Sequence, residues 1–344
     1  MSAPSSVLVV GASAGGLSTA EALRRKGFQG GLTVLGAESH QPYDRPPLSK
    51  QVLSGAWEPD RVTLRLPEQL SSLDAEFVLG DAAVGLDAEA RTVHTASGRV
   101  LRADAIVVAT GLRPRMFAGQ DGLAGVHVLR TLDDAVALRA GLLGASRVVV
   151  VGDGVLGTEI AATARTMGAS VTLAGPQPAP LESQFGPLIA GRLAALHAEH
   201  GVDLRLGAAV TGLAEQDGRV AGVCLATGEV LPADVVVVAF GSAPATDWLA
   251  GSGLKVDNGV VCDSSCRVAD GVYAVGDVAR WHHEGLGALL RLENRTNATE
   301  QAGHVAAAIL GESRPYTPVP YFWTDQFDVK IQVYGLSPRC CAPD

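Results

Sequence analysis

The chain has 344 residues, of which 47% are hydrophobic and 18% charged, a composition typical of two or three folded domains and not of a disordered protein. Its formal net charge of −9, without clustered Lys and Arg, argues against a nucleic-acid-binding surface. Residues 1–6 carry no basic segment and the apolar runs are strand-sized, so we expect neither an export signal nor a membrane association.

The cysteines are odd in number and have no CxxC spacing; they are Cys224, Cys262, Cys266, Cys340 and Cys341. This pattern is typical of reduced thiols, and we expect a cytoplasmic protein. Cys262 and Cys266 fall in a predicted strand and turn, where they are either a redox or metal-binding pair or ordinary small apolar residues. The lack of further His or Cys ligands nearby favours the second interpretation.

The first predicted elements form a strand, a tight turn and a helix. An apolar run at 7–10 predicts the strand, the glycine-rich segment 11–16 predicts the turn, and the pattern at 17–26 predicts the helix. A second strand is predicted at 32–35 and leads to Glu38. The first forty residues therefore form one βαβ unit.

The same layout recurs after residue 146. A strand is predicted at 148–151, a glycine-rich turn at 152–157, a helix at 158–167 and a second strand at 171–174. The chain thus contains two βαβ units of the kind that bind dinucleotides.

Several further segments complete the predicted architecture. Apolar strands at 105–109 and 235–239 are each followed by glycine, at Gly111 and Gly241, and we interpret them as points where the chain crosses between domains. Later come a predicted strand at 271–277, a helix at 297–310 and a short aromatic, strand-like segment from Pro315.

The glycine spacing in both turns suits a pyrophosphate group. The first glycine permits the tight turn, the second position lets the backbone approach the phosphates, and the third lets the helix pack closely while its N-terminus stabilises the charge. The first fingerprint consists of Gly11, Ser13, Gly15 and Gly16, and the second of Gly152, Gly154 and Gly157. In the first, the small residue Ser13 replaces the second glycine.

The acid expected beyond each fingerprint is present only once. Glu38 is placed to accept hydrogen bonds from an adenosine ribose, or is a solvated surface carboxylate. Residues 174–177 offer neither an acid for a ribose 2′-hydroxyl nor an Arg for a 2′-phosphate. The choice between NADH and NADPH stays open; the lack of Arg and Lys in 174–180 favours NADH.

Two dinucleotide sites in one chain indicate a bound electron acceptor and a diffusing donor. Four segments then resemble one family, the FAD-dependent ferredoxin and rubredoxin reductases of oxygenase systems, of putidaredoxin reductase type. The segments are QPYDRPPLSK at 41–50, ATG at 109–111, YAVGD at 273–277 and YFWTDQ at 321–326. The resemblance covers nearly the whole chain in the right order.

The resemblance implies an α/β fold with two Rossmann-like domains of pyridine nucleotide-disulfide reductase type and a truncated C-terminal α+β segment. The FAD domain would comprise 1–112 and 236–312, the NAD(P)H domain 113–235, and the interface segment 313–344. After Gly335 the family continues through further strands and a helix, so we expect a more exposed flavin here, or a partner, such as a second copy in a homodimer, that completes the wall.

The resemblance also implies residue roles. Lys50 would lie beside the isoalloxazine and Glu159 near Lys50, where hydride passes. Asp277 would bind the ribityl or phosphate portion of FAD, or cap a following helix. Trp323 would form a wall of the flavin pocket or pack in the core. The other implied cofactor-binding residues are Gly11, Ser13, Gly15, Gly16, Glu38, Ala83, Ala109, Thr110, Gly111, Arg130, Gly152, Gly154, Gly157, Gly241 and Gly276.

The sequence departs from the family at two acids. The family has an acid directly after Gly36, where this chain has Ala37 and then Glu38, and a second acid where this chain has Gly175. Glu38 takes over the first role. No neighbouring residue in the sequence replaces the second.

The predicted function is hydride transfer from NAD(P)H to FAD, followed by single-electron transfer to a ferredoxin- or rubredoxin-type carrier. Residues 40–60 contain no cysteine, so the electrons leave to an outside acceptor and not to an internal disulfide. The alternatives are an enzyme that reduces oxygen, a quinone or a small organic substrate, and a nucleotide-sensing protein without turnover.

Overall fold

The computed structural model describes residues 4–336, which divide into two units. The first unit comprises 4–44, Thr63–Arg113 and Ala243–Phe322, and the second comprises Arg45–Val62, Pro114–Ser242 and 323–336. The chain passes between the units near the short strands Leu112–Pro114 and Ser242–Pro244. Cys340 and Cys341 lie outside the described residues.

The first unit is built on a six-stranded sheet. The strand Ser6–Val10 lies near its centre and pairs in parallel with Gly31–Gly36 on one side and Ala105–Val108 on the other. Both faces of this apolar run are buried, as is usual in a parallel sheet covered by helices. In sheet order the strands are Arg267–Ala269, Val272–Ala274, Ala105–Val108, Ser6–Val10, Gly31–Gly36 and Glu76–Leu79.

Two helices of the first unit, Ala14–Arg25 and Arg295–Ile309, pack against each other. The second begins after Asn294, whose side chain accepts a hydrogen bond from the Asn297 amide at 2.7 Å. Asn294, and not Asp277, is therefore the N-cap residue of this helix. The first unit also contains the helix Pro67–Ser71 and two three-stranded sheets, Ala83–Asp87 with Thr92–Thr95 and Val100–Arg102, and Val260–Cys262 with Ala279–His283 and Ala288–Leu290.

The second unit is built on a five-stranded parallel sheet. Arg147–Val151 lies at its centre and pairs with Ser170–Gly175 and Val235–Val238. In sheet order the strands are Asp203–Leu206, Ser170–Gly175, Arg147–Val151, Val235–Val238 and Val126–His127. The helices are Gln51–Ser54, Leu132–Leu143, Val155–Thr166 and Glu182–Glu199.

Antiparallel strands accompany this sheet. Val210–Gln216, Arg219–Leu225 and Val230–Pro232 form a three-stranded sheet that packs on the parallel one. Tyr321–Gln326 and Val329–Tyr334 form a two-stranded sheet. No helix within residues 4–336 is both long and apolar enough to span a bilayer.

Both predicted βαβ units are present. Their strands match the predicted bounds to within one residue, whereas the helices begin three residues earlier, at Ala14 and Val155. Each helix starts inside its glycine-rich turn, where the small residues give no helical apolar pattern.

Candidate functional site

The first glycine turn is tightly closed. Gly11 has a φ of 123°, a conformation that favours glycine, and a Cβ on it would lie under 3.0 Å from the Ala109 carbonyl oxygen. A Cβ on Gly16 would lie as close to the Gly11 carbonyl oxygen. The turn therefore needs glycine at both positions for the helix to pack against the strand.

The helix that follows this turn offers donors to an anion. Ser13 precedes the helix Ala14–Arg25 without a side-chain capping bond, and the first turn contains no acid. The amides at the helix start thus keep their capacity to donate to a pyrophosphate group. Gly15 lies in the same turn, against the side chain of Val275.

Glu38 follows the second strand of this βαβ unit, as predicted. Its side chain is partly exposed, and the Tyr43 hydroxyl donates to Glu38 Oε2 at 2.5 Å. Tyr43 itself is buried. The bond orients the Glu38 carboxylate.

The segment 109–111 lies directly against the first turn. The Ala109 amide donates to the Val10 carbonyl at 2.7 Å, and the Ala245 amide donates to the Gly111 carbonyl at 2.9 Å. The Thr110 hydroxyl donates to the Ala245 carbonyl at 2.8 Å. These residues therefore support the backbone of the turn.

Three other predicted residues also belong to the first unit. Gly276 is buried, and its amide donates to Gln301 Oε1 at 2.7 Å. Asp277 is partly exposed, and its carbonyl accepts from Arg291 Nη1 at 3.2 Å. Ala83 begins a strand that pairs with Thr92–Thr95.

The second glycine turn repeats the first. A Cβ on Gly152, where φ is 129°, would lie under 3.0 Å from the Ala239 carbonyl oxygen, and one on Gly157 as close to the Gly152 carbonyl oxygen. A Cβ on Gly154 would meet no atom within 4 Å. The fold itself does not require glycine there, but a dinucleotide approaching the turn does, so the turn fits such a ligand.

Lys50 and Glu159 meet within the second unit. Lys50 Nζ lies 2.7 Å from Glu159 Oε2, and their side chains are 14% and 7% exposed. Glu159 lies on the helix Val155–Thr166, which begins directly after Gly154. The helix therefore links the glycine turn rigidly to the charged pair.

Other groups complete the contacts of the Glu159 carboxylate. The Ser49 hydroxyl donates to Oε2 at 2.6 Å, and the Thr324 hydroxyl and Asp325 amide donate to Oε1 at 2.9 and 3.3 Å. Sequence reasoning did not assign Ser49 or Thr324 to the site. The sequence did offer a signal for both, because Ser49 is next to Lys50 and Thr324 lies inside the YFWTDQ segment.

The network continues away from Glu159 to a buried histidine. Thr324 Oγ1 accepts from Gln326 Nε2 at 3.1 Å, and Gln326 Oε1 lies 2.8 Å from His197 Nε2. Because Gln326 uses its amide nitrogen toward Thr324, its oxygen must accept from His197 Nε2–H. His197 Nδ1 is then unprotonated, and it has no hydrogen-bond partner among the described residues.

Three further predicted site residues belong to the second unit: Arg130 and Gly241 lie on loops, and Trp323 lies on the strand Tyr321–Gln326. The Arg130 amide donates to Asp134 Oδ2 at 2.9 Å, and its carbonyl accepts from Arg45 Nη1. The Gly241 carbonyl accepts from the Arg115 amide at 3.0 Å. Trp323 is partly exposed.

The described cysteines are unsuited to redox chemistry with a thiolate. Cys262 and Cys266 are buried, and burial raises the pKa of the Cys262 thiol well above its usual range and that of Cys266 to about 12. Cys224 is a free, partly exposed thiol. Residues 4–336 contain no cluster of three or more potential metal ligands.

Comparison with known proteins agrees with this geometry. Residues 5–302 match the model of the pyridine nucleotide-disulphide oxidoreductase family. The chain belongs to this family. Membership confirms the predicted fold class, the oxidoreductase class and the cofactors FAD and NAD(P)H.

Relatives with close overall similarity are electron-transfer reductases. Rhodocoxin reductase from Rhodococcus erythropolis is 37% identical over 96% of this chain and 78% of its own length. Putidaredoxin reductase from Pseudomonas putida is 34% identical over 98% of this chain and 82% of its own length. The crystal structure of a ferredoxin reductase from Rhodopseudomonas palustris superposes with a TM-score of 0.94 at 35% identity, covering 97% of this chain and 83% of that one. The predicted resemblance is thereby confirmed.

Proposed function

We propose that this flavoprotein oxidises NAD(P)H and delivers single electrons to a ferredoxin-type iron–sulfur or rubredoxin-type carrier. The observation that carries the proposal is the buried Lys50–Glu159 pair on the helix that begins at the second glycine turn. The names of the relatives support the choice of carrier. A covalent complex of putidaredoxin reductase with putidaredoxin, at a TM-score of 0.92 and 34% identity, covers 97% of this chain and 82% of that one.

In this proposal the first fingerprint holds FAD. Gly11, Ser13, Gly15 and Gly16 would contact its pyrophosphate, and Glu38 the adenosine ribose. The other residues that we propose to bind a cofactor are Ala83, Ala109, Thr110, Gly111, Arg130, Gly241, Gly276, Asp277 and Trp323. FAD, when bound, accepts hydride from NAD(P)H and releases electrons singly.

The second fingerprint would hold the nicotinamide dinucleotide through Gly152, Gly154 and Gly157. Glu159 then contributes to the reaction by holding the Lys50 ammonium in a fixed position, with Lys50 Nζ 2.7 Å from Glu159 Oε2. The positive charge of Lys50 is thereby preorganised. Ser49 and Thr324 hold the carboxylate in turn. A preorganised charge needs little rearrangement when electron density shifts during the reaction.

The state of the cysteines supports an external electron acceptor. An internal disulfide acceptor needs a reactive thiolate pair, whereas burial raises the pKa of both Cys262 and Cys266. Within the part of the chain that the structure describes, the third cysteine, Cys224, has no cysteine partner.

Anaerobic stopped-flow reduction with NADH or NADPH, followed by an added ferredoxin, tests the proposal. We expect rapid bleaching of the flavin and reduction of cytochrome c that depends on the ferredoxin. Efficient turnover with oxygen or a quinone but not with ferredoxins or rubredoxins would overturn the choice of acceptor, and no bleaching would exclude the enzyme. Self-association and a cytoplasmic location stay predictions, the first tested by light-scattering mass.

A further inference from the structure

The second fingerprint lacks an acid at the end of its second strand, where a dinucleotide-binding fold presents one to the adenosine ribose. Gly175 ends the strand Ser170–Gly175 and has no side chain to offer. The space beside Gly175 is nevertheless filled by another side chain. A Cβ built on Gly175 would lie under 3.0 Å from the carboxylate of Asp153, the residue between the first two glycines of the turn. The Asp153 carboxylate thus occupies the space next to position 175 where the side chain of the missing acid would begin, but it comes from the turn.

Asp153 is held in this place by one residue of the neighbouring loop. Its side chain accepts from the Gln177 amide at 2.8 Å through Oδ2 and from Gln177 Nε2 at 2.7 Å through Oδ1. The Gln177 side chain is fixed in turn, because its Oε1 accepts from the Ser183 amide at 2.7 Å. The carboxylate is therefore oriented by a rigid set of donors.

Among the described residues, no Lys or Arg forms an ion pair with this carboxylate. Asp153 is 5% exposed, and within residues 4–336 its side-chain hydrogen bonds come from Gln177 alone. Burying a carboxylate on neutral donors alone is unfavourable unless another group compensates. The two donated bonds also use only two of its roughly four acceptor positions.

We propose that Asp153 is the residue that determines which electron donor binds. Its carboxylate accepts a hydrogen bond from the 2′-hydroxyl of the adenosine ribose of NADH and repels the 2′-phosphate of NADPH. The inference rests on the proposed function in one respect, the placement of the nicotinamide dinucleotide on the second fingerprint. It assigns to the turn a role that the family places at position 175.

A purely structural role for Asp153 makes a different prediction. If the carboxylate only fastens the loop that contains Gln177, its loss weakens binding of both nucleotides alike. Recognition of the ribose instead changes the ratio between a ligand with a 2′-hydroxyl and one with a 2′-phosphate. The Leu181 amide bonds to the Asp153 backbone carbonyl at 2.9 Å, so the loop keeps one anchor in any side-chain variant.

The test uses ADP-ribose and 2′-phospho-ADP-ribose, which bind without electron transfer, titrated calorimetrically into the FAD-loaded protein. We expect Asp153→Gly to weaken ADP-ribose binding about tenfold or more, the size expected for loss of a charged hydrogen bond. Binding of 2′-phospho-ADP-ribose should change little or improve. In the double variant Asp153→Gly with Gly175→Asp, the carboxylate returns to nearly the same space from the strand, and ADP-ribose affinity should largely recover.

Glu199→Gln is the matched control, since it removes the same charge from an exposed position at the other end of the helix Glu182–Glu199. It should leave the ratio of the two affinities unchanged. An unchanged ratio in Asp153→Gly, or equal loss of both ligands, overturns the assignment. Failure of the wild type to reduce any ferredoxin would overturn the proposed acceptor without affecting these titrations, so the two hypotheses can fail separately.

Discussion

Glu159 accepts hydrogen bonds from two hydroxyls, one amide and the Lys50 ammonium. In Glu159→Gln the shape is kept but the charge that fixes Lys50 is lost. We expect the rate of flavin reduction by NADH to fall roughly tenfold to a hundredfold, the range of a charged hydrogen bond of about 1.5–3 kcal/mol, while FAD content stays normal. Anaerobic single-turnover absorbance measures the rate, with the exposed Glu58→Gln as control. An unchanged rate with normal NADH affinity would remove Glu159 from the mechanism.

Lys50 should matter for stability as well as for rate. In Lys50→Met the Glu159 carboxylate, 7% exposed, loses its only cation among the described residues. We expect unfolding free energy to drop by about 3 kcal/mol, at the lower end for a broken buried ion pair because three neutral donors remain. The double variant Lys50→Met with Glu159→Gln should regain part of this loss. Urea denaturation of the four proteins gives the coupling, and strict additivity would contradict the expectation.

The sequence predicted the charged pair Lys50 and Glu159 but not the residues around it. Lys50 and Glu159 were found because their segments resemble a family. Ser49 and Thr324 contact Glu159 from 110 and 165 positions away along the chain. No local periodicity encodes contacts at such separations, so Gln326 and His197 also escaped prediction.

The first glycine turn leaves no room for a side chain at Gly16. In Gly16→Val the added side chain would collide with the Gly11 carbonyl and push the helix Ala14–Arg25 away from its strand. We expect colourless protein without FAD, measured by absorbance and by FAD content after denaturation. The second unit should still bind ADP-ribose, which shows that the chain has folded. Full FAD occupancy would mean that the flavin site is misassigned.

Gly154 allows a gentler test of the second turn, since a side chain there meets no protein atom within 4 Å. Gly154→Val should therefore fold and keep FAD but weaken NADH binding about tenfold or more, because the side chain occupies the approach to the turn. Gly212→Val, at another open position in a strand, is the control and should bind NADH normally. Equal NADH affinity in the two variants would contradict the assignment.

The sequence predicts strands and helices well where the apolar pattern is regular, and two helices of the second unit were missed. The strands of both βαβ units were predictable because short runs of Val and Leu are bounded by glycine. The helix Glu182–Glu199 was missed because it contains a break at Gly186 and Pro187. The helix Leu132–Leu143 was missed although Thr131 and Asp134 form a capping box that the sequence displays.

Each of the two units has its own buried, largely parallel sheet and its own glycine turn. Two such cores need not unfold together. A single free energy of unfolding therefore describes the chain only if probes of the two units give the same unfolding transition. In the proposed assignment, flavin fluorescence reports on the first fingerprint and ADP-ribose binding on the second. Unfolding should be followed with both.

The stability of the chain should depend on pH through histidines in both units that are buried or partly buried. Burial lowers the pKa of His127 and His197 in the second unit and of His304 in the first below the usual value of 6.5. His197 is fully buried and would gain a proton on Nδ1, which has no acceptor among the described residues. The folded protein therefore binds fewer protons than the unfolded chain below the usual histidine pKa.

Because the folded protein binds fewer protons than the unfolded chain, its stability falls as the pH decreases. The stabilisation is fully present above about pH 6.5 and is lost as the pH falls through that value toward the lowered pKa values, by at most about 1.4 kcal/mol per pH unit for each histidine. Urea midpoints should thus be level between about pH 7 and pH 8 and decline by about pH 5.5. Three carboxyls also have a lowered pKa, namely Asp81, Asp104 and Asp234. They affect stability only near and below pH 3.8, so they do not contribute between about pH 5.5 and pH 8.

His197→Asn should flatten the decline in stability that the probe of the second unit reports, whereas the exposed His282→Asn should not. A midpoint that stays constant from about pH 8 to pH 5.5 would show that the folded histidines take up protons as readily as the unfolded chain.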